Sequence, residues 1–593
     1  MSATTAPLPA SGELTHRQIT TIMLGLMMGM FLAALDQNVV GTAIKTIADD
    51  LQGYSAQAWV TTAYLITSTI STPLYGKLSD IYGRKRFFLT GIVIFVLGSL
   101  ACTFAWSMYS LAAFRAIQGL GAGGLFSLAL AIIGDIVPPR ERARYQGYFL
   151  AVFGTSSVLG PIIGGFFADA GTVLGITGWR WVFLINVPLG IVAAIVVTRT
   201  LHLKQYRQDS RIDWWGAVSL VVALVPLLII AEQGRTWGWT SAAAWACYGI
   251  GLFGIAAFLF VERAMGDDAL IPLRIFSNRT IAIAISGSFV LGSGMFGGMM
   301  VIPQYLQIVH GSSPTESGFQ MLPMVVGIML ASVVSGQLMS RTGKVKVFPI
   351  IGISLMVTAL LLLSRITADT PLWQVMIWMF IFGLGLGNTM QPLTLAVQAS
   401  VDPREIGMAT ASATFFRQIG GTLGVAVFLS VLFDRLPGNI ATAFQTAAAT
   451  PEFQAATKDP VILANPDNLA FVKSLGSAGD AISGLLQDTS VLTRLAPVFS
   501  HPIKVGFSES MSLVFLLGAL VCAFGVLILA FLPNLTLSSQ SAHAQIAERD
   551  AAAGEDDIIV GRHTITDDLV DAAAAESAGH TLHELDGRPR RGA

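Results

Sequence analysis

Fourteen long apolar runs follow one another along this chain. They lie near residues 20–42, 57–75, 87–105, 109–133, 145–169, 181–199, 214–231, 245–262, 280–308, 318–339, 347–364, 373–399, 406–433 and 509–532. An α-helix needs roughly 20 apolar residues to cross the hydrocarbon core of a bilayer. Lipid pairs with no backbone polar group, so a run of this kind crosses as a helix. The expected fold is an all-α integral membrane protein with 14 transmembrane helices. Composition agrees: 53% of the 593 residues are hydrophobic and only 12% are charged, against about 25% charged in an ordinary soluble domain. So little charge excludes a soluble enzyme and a disordered chain. A net charge of −1 leaves no basic excess for a nucleic acid. Cys102, Cys247 and Cys522 are far apart in apolar runs and give neither a disulfide framework nor metal-ligand spacing. The first run is too long for a cleaved signal peptide and holds Asp36.

Lys and Arg in the loops set the direction. With the N-terminus in the cytoplasm, nineteen of them fall on the inner side, including Lys77, Arg84, Lys85, Arg86 and Arg341, and four fall in short outer loops: Lys45, Arg180, Arg235 and Arg365. That bias obeys the positive-inside rule. An even number of spans then returns the C-terminus to the cytoplasm, so the chain is expected to be a multi-pass protein of the cell inner (cytoplasmic) membrane. Glu232 and Glu262 stand at the ends of spans seven and eight, where water is expected to reach them.

The chain also repeats itself. Gly76-Lys-Leu-Ser-Asp80-Ile-Tyr-Gly83-Arg84-Lys follows span two, and Gly336-Gln-Leu-Met-Ser-Arg-Thr-Gly343-Lys follows span ten. Gln118-Gly-Leu-Gly-Ala-Gly in span four is echoed by Gly383-Leu-Gly-Leu-Gly387 in span twelve. A parallel duplication follows, with a substrate path where the halves meet. The division is a cytoplasmic N-terminus (1–19), an N-terminal six-helix bundle (20–199), a linker carrying inserted spans seven and eight (200–279), a C-terminal six-helix bundle (280–533) with an outer loop (434–508), and a disordered acidic cytoplasmic tail (534–593). His580 and His583 in that tail are spaced for a metal, but a solvated tail is the simpler reading.

The residues of the first loop resemble the signature motif of the major facilitator superfamily. Arg115-Ala-Ile-Gln118-Gly119-Leu-Gly121 is similar to its fourth-helix motif. Gly154 through Gly160-Pro161-Ile-Ile-Gly164-Gly165 resembles the fifth-helix motif of its antiporters. Leu35-Asp36-Gln-Asn-Val-Val resembles the first-helix motif of the fourteen-helix drug:proton antiporter family, and Trp179-Arg-Trp-Val-Phe-Leu-Ile-Asn-Val-Pro188 and Phe416-Arg417-Gln418-Ile-Gly-Gly-Thr-Leu-Gly424 are similar to the same family. The resemblance covers roughly residues 20–435 and the last span. It implies a multidrug-efflux type of transporter, not an enzyme, that exports lipophilic drugs or other amphiphiles in exchange for protons by alternating access. No cofactor is implied; the proton gradient is the energy source. The implied partners are membrane lipids, a small lipophilic substrate and protons, with no nucleic acid and a monomeric state. Export of an endogenous lipid, a siderophore or a self-made antibiotic on the same fold is the alternative.

Asp36 is the most informative polar residue. A carboxylate in hydrocarbon costs several kcal/mol unless it meets a partner or a wet cavity. Arg115 lies at a similar depth in the antiparallel fourth span. Asp36 is expected to carry the coupling proton and Arg115 to govern how readily it binds; a static buried ion pair is the alternative. Gly154, Gly160, Pro161, Gly164 and Gly165 are expected to give span five a flat, hinged face, with generic small-residue packing as the rival. Gly76, Asp80, Gly83, Arg84 and Asp135 are expected to form a conformational latch. In it Asp80 would meet the N-terminus of span thirteen near Ile406, and Arg84 would pair with Asp135; a solvated basic loop is the rival. In the second half Ser340 replaces Asp80, so the latch there should be weaker. Gln118, Gln304, Tyr305, Gln307, Gln391, Phe416, Arg417 and Gln418 are candidates for the substrate cavity, with Met295, Met299, Met300 and Phe415 as adaptable walls; plain inter-helix bonding and core packing compete. Spans nine to fourteen hold no deep acid, and Arg417 tilts the expected cargo toward neutral, zwitterionic or anionic amphiphiles. Gly119-x-Gly121-x-x-Gly124 matches a dinucleotide fingerprint, but it lies inside one apolar helix with no strand before it. A membrane enzyme would need a buried cluster of His or acids, and no histidine lies deep in a span. A non-transporting sensor is a third class.

Overall fold

The computed structural model describes residues 16–51, 57–201, 212–402, 405–474, 492 and 494–535. The acidic tail from 536, the paired histidines within it, and most of the amphipathic stretch 480–498 lie outside the described residues. The first half runs α1 (His16–Asp50), α2 (Gln57–Tyr82), α3 (Arg84–Thr103), α4 (Met108–Ile136) and α5 (Pro139–Asp169). A short hairpin follows, β1 (Thr172–Val173) paired antiparallel to β2 (Ile176–Thr177), then α6 (Trp181–Leu184) and α7 (Asn186–Thr200). Next come α8 (Trp214–Trp237) and α9 (Ala242–Met265), which pack on each other as a hairpin. The second half is α10 (Arg279–Ile308), α11 (Pro314–Gln320), α12 (Leu322–Thr342), α13 (Val347–Leu363), α14 (Leu372–Gln398) and α15 (Ile406–Ala448). Short helices α16 (Pro451–Ala456), α17 (Pro460–Leu463) and α18 (Pro466–Ser474) precede α19 (Pro497–Ala530).

The apolar runs of the sequence all fall on helices, with run six divided at Ile185 and run ten at Met321. Eleven described helical stretches are long and apolar enough to cross a membrane, one of them joining α6 to α7 (Gly178–Thr200) and another joining α11 to α12 (Glu316–Thr342). α2, α5 and α13 fall short: α2 is diluted by Thr and Ser, α5 begins with a basic segment, and α13 has 17 residues. The count of fourteen crossings therefore rests on the sequence.

Local chemistry sets the ends. Ser107 and Ser110 form a capping box at the start of α4, and Ser313 and Glu316 do so at α11. Gly83, at φ 102°, is the single residue between α2 and α3, and Gly343, at φ 68°, closes α12. Both use a backbone region that side chains rarely adopt. These are the two glycines that end the repeated loop motif. The second repeat agrees at the level of packing partners. In α4, Gly119 lies against the Tyr64 backbone of α2 and Gly121 against Gly91 of α3; in α14, Gly383 lies against Met324 of α12 and Gly385 against Gly352 of α13. Such small residues let helix backbones touch without a water-driven hydrophobic force. The glycines of the dinucleotide-like string thus serve as packing surfaces.

Two features differ from the sequence expectation. The described part of the outer loop 434–508 is largely helical. α15 continues to Ala448 and has 43 residues, and α19 begins at Pro497. At 1.5 Å per residue α15 is about 65 Å long, twice the hydrocarbon thickness. Its projecting part is amphipathic: Leu432, Leu436 and Ile440 recur every fourth residue and are buried, with Gly506 of α19 tight against Ile440. Phe444, Phe453, Phe471 and Phe499 close this outer core with ring centroids 5.5 to 6.3 Å apart. Glu262 is buried rather than wetted, because the turn after α9 folds back and the Ile271 N–H donates to its Oε2 at 2.9 Å. The side chain of Glu232 lies outside the described residues.

Candidate functional site

Among the described residues, three places bring the candidate polar groups together: an acid cluster inside the first half, a cavity between the halves, and a seam on the face that carries the basic loops.

The acid cluster is built on Asp36. α1, α3, α4 and α7 bring Asp36, Ser99, Arg115, Gln118 and Asn186 together, with Asp36 1% and Arg115 2% exposed. Arg115 and Asp36 form an ion pair. The Gln118 Nε2 donates to Asp36 Oδ1 at 2.8 Å and the Asn186 Nδ2 donates to the same oxygen at 2.7 Å. Gln118 also donates to Ser99 Oγ at 2.6 Å and accepts from Arg115 at 2.7 Å. The guanidinium stands 4.1 Å above the Tyr64 ring, a cation–π contact that favours a desolvated cation. A buried carboxylate needs such a set of donors to stay charged. The sequence placed Gln118 in the substrate cavity; the structure puts it here, because three residues along α4 it shares the face of Arg115. Asn186, Ser99 and Tyr64 were not singled out. Asn186 was legible as the one amide in the apolar run 181–199.

The cavity lies where the halves meet. It has a volume of about 110 Å³ and is walled from both sides, by Gln37 and Phe126 of the first half and by Met295, Gln391 and Arg417 of the second. A single buried water occupies ~10–15 Å³ on this measure, so several fit. Met299 and Gln418 also line it, together with Phe149, Thr414 and Met390. The remaining cavity candidates lie elsewhere. The Tyr305 hydroxyl donates to the Thr367 carbonyl at 2.8 Å near the outer end of α10. Gln307 is exposed and Gln304 partly so. Phe416 packs on Phe276 and Phe415. Met300 is exposed and Phe415 sits in the core. Asp36 does not line the cavity, whereas its neighbour Gln37 does.

The seam closes the basic face. Asp80 at the end of α2 accepts a hydrogen bond from the Met408 N–H of α15 at 2.8 Å and pairs with Arg84; Arg84 Nε donates to Asp135 at 2.7 Å. The Gln398 amide donates to the Leu130 carbonyl at 3.1 Å, and the Thr72 hydroxyl donates to Gln418 Oε1 at 3.3 Å. A side chain at Gly76 would strike Ala411. Arg142, not singled out in the sequence, is buried here and donates to the Val137 carbonyl at 2.7 Å. Among the described residues no ion pair ties the equivalent second loop, where Arg341 is exposed.

α5 joins the two regions. Cβ atoms added at Gly160 and Gly164 would press on Asn38 and the Val39 carbonyl of α1, and one at Gly154 on Val325 of α12 in the other half; Gly165 has open space, and Pro161 lies within the helix. Gly160→Ala is expected to lower stability by about 1–3 kcal/mol through overpacking. Gly165→Ala should be neutral or gain up to ~1 kcal/mol from helix propensity. Thermal unfolding of the two purified variants checks the contrast.

Residues 26–425 match the model of the Major Facilitator Superfamily. The chain belongs to the Major Facilitator Superfamily. It is therefore a membrane transporter rather than an enzyme. It is 35% identical over 539 residues to the Multidrug transporter protein MdtP of Bacillus subtilis (strain 168), covering 90% of this chain and 96% of that protein. It is 34% identical over 341 residues to a Tetracycline resistance determinant of Streptomyces rimosus, covering 58% of this chain and 97% of that protein. The proton:xylose symporter XylE, in its complex with 6-bromo-6-deoxy-D-glucose, shares the fold with a TM-score of 0.53 at 14% identity, covering 90% of this chain and 100% of that one.

Proposed function

We propose that this transporter is a proton-coupled antiporter that exports lipophilic drugs or other amphiphilic compounds across the cytoplasmic membrane by alternating access. The carrying observation is the Asp36 cluster: a carboxylate shut inside one half, held by an ion pair and two amide donors, one residue from Gln37 in the cavity wall. Protonation of Asp36 breaks its pairing with Arg115 and changes the packing of α1 against α4. α1 is the helix that carries Gln37 and that α5 packs on through Gly160 and Gly164. A charge change in the cluster thus reaches the cavity through a short rigid path. The direction of transport is inferred from the relatives, which are multidrug transporters. The basic face is assigned to the cytoplasm by the positive-inside rule, which places both termini there. The inserted pair α8 and α9 belongs to a fourteen-helix arrangement, the working unit is a monomer, and the proton gradient is the energy source.

The test uses the full chain in liposomes loaded with a pH-sensitive dye and given an imposed pH gradient. Addition of tetracycline is expected to release protons down the gradient as the drug moves up its own. Equal drug movement with no pH difference and no voltage, and no proton counterflow, would remove the antiport reading.

A further inference from the structure

We infer that Arg417 is a counter-ion site in the central cavity, and that the cargo this site selects is an amphiphile with one acidic group on an apolar, preferably aromatic, body. The inference deepens the proposed export function and rests on that reading of the cavity.

Arg417 is 5% exposed and lines the cavity from α15. Its side chain makes no hydrogen bond and no ion pair among the described residues. Among the described residues the other arginines drawn into the bundle have protein partners: Arg84 pairs with Asp80 and Asp135, Arg115 with Asp36, and Arg142 donates its Nε to the Val137 carbonyl while its Nη1 stays unbonded. Its backbone is fixed, since the Arg417 carbonyl lies tight against Gly292 of α10. An unanswered guanidinium inside a membrane span is costly, and intramembrane charges face a cavity or a partner for that reason. Among the described residues no Asp or Glu lines the cavity, and none of them supplies the anion. Beside Arg417, the buried Thr414 hydroxyl also makes no hydrogen bond among the described residues.

The rest of the wall suits the other end of such a molecule. Met295, Met299 and Met390 offer deformable thioethers, and Phe126 and Phe296 offer flat apolar faces. A guanidinium presents a planar fork that matches a carboxylate or sulfonate with two parallel hydrogen bonds. An acidic cargo head completes that pair, whereas a cationic head meets like charge. Selection by an unpaired buried group is strong because the unmatched alternative leaves it unsatisfied.

Two probes with the same aromatic body separate the effect of charge. Anilinonaphthalene sulfonate carries an acidic group and N-phenyl-1-naphthylamine does not. Binding to the full-length protein in phosphatidylcholine nanodiscs is measured by titration calorimetry, with empty nanodiscs as the blank and no gradient applied. The wild type is expected to prefer the sulfonate by about tenfold or more, the scale of a charge-assisted pair. Arg417→Gln should bring the ratio close to one while keeping affinity for N-phenyl-1-naphthylamine, which also shows that the variant is folded. Arg417→Lys should restore part of the preference, since it keeps the charge without the fork. A wild type with no preference for the sulfonate, or an Arg417→Gln variant that keeps it, would overturn the proposal. Binding of neither probe would overturn the cavity as an amphiphile site and this proposal with it. Loss of proton exchange in liposomes alongside an intact anion preference would sink the antiport mechanism alone.

Discussion

Asp36→Asn is expected to reduce proton-linked transport to the level of empty liposomes while leaving a folded protein that still binds cargo. The substitution keeps the shape of the side chain and removes its charge and its titration. Gln118 and Asn186 both donate to one oxygen of Asp36, and an Asn oxygen can still accept from them. Its amide nitrogen then faces Arg115, which loses its counter-ion. Removing one member of a buried ion pair costs about 3–5 kcal/mol, so a lowered unfolding temperature is expected as well. Stability and transport are separated by the double variant Asp36→Asn with Arg115→Gln. It leaves no lone buried charge and should recover much of the stability, with no recovery of proton exchange. If the cluster were only a static clamp, the double variant would regain transport along with stability. An Asp36→Asn protein that pumps at full rate against a gradient would remove the residue from the mechanism.

How much of this was legible in the sequence depends on what kind of signal each residue gives. A charge inside an apolar run is rare and expensive, so Asp36, Arg115 and Arg417 stood out and their depths were readable from residue counts. The helices were legible for the same reason. Direction around a helix was not. α10 and α15 are apolar on most sides, so periodicity does not say which face meets the cavity, and neighbouring residues point about 100° apart. Depth and motif do not orient Gln304, Tyr305, Gln307 or Phe416 around their helices, and the structure turns them elsewhere. Gln118 had a usable clue in its spacing from Arg115. Ser99 had none, since a lone Ser in an apolar helix commonly bonds its own backbone. The outer extension of α15 was hidden because its apolar face is a stripe, Leu432, Leu436 and Ile440, which a search for continuous apolar runs passes over.

The second large effect is expected at the seam. α15 begins without a cap of its own: the residue before it, Glu405, makes no side-chain capping bond. Its third residue, Met408, instead donates its N–H to Asp80 from the other half. A carboxylate at a helix N-terminus satisfies an orphan donor and meets the positive end of the dipole. In the proposed alternating-access cycle the cap exists only while the halves are closed on the basic face, so there it adds to one conformation and not to the other. A charge-assisted hydrogen bond of this kind contributes about 1.5–3 kcal/mol, a shift of roughly ten- to a hundredfold in the balance. Asp80→Ala is therefore expected to open the basic face about tenfold or more often, with Asp80→Asn between it and the wild type because the amide still accepts the bond. The readout is a single cysteine at Thr414 in the cavity wall, with Cys102, Cys247 and Cys522 replaced by Ser. A membrane-impermeant maleimide reaches it in inside-out vesicles only when the basic face is open. Gly76→Val should act in the same direction by a different route, as a wedge against Ala411. The mirror experiment is Ser340→Ala, at the Asp80 position of the repeat: with no ion pair described there, the labelling rate should not change. A rate for Asp80→Ala equal to the wild type would show that the cap is ornamental and that the halves are held shut by packing alone.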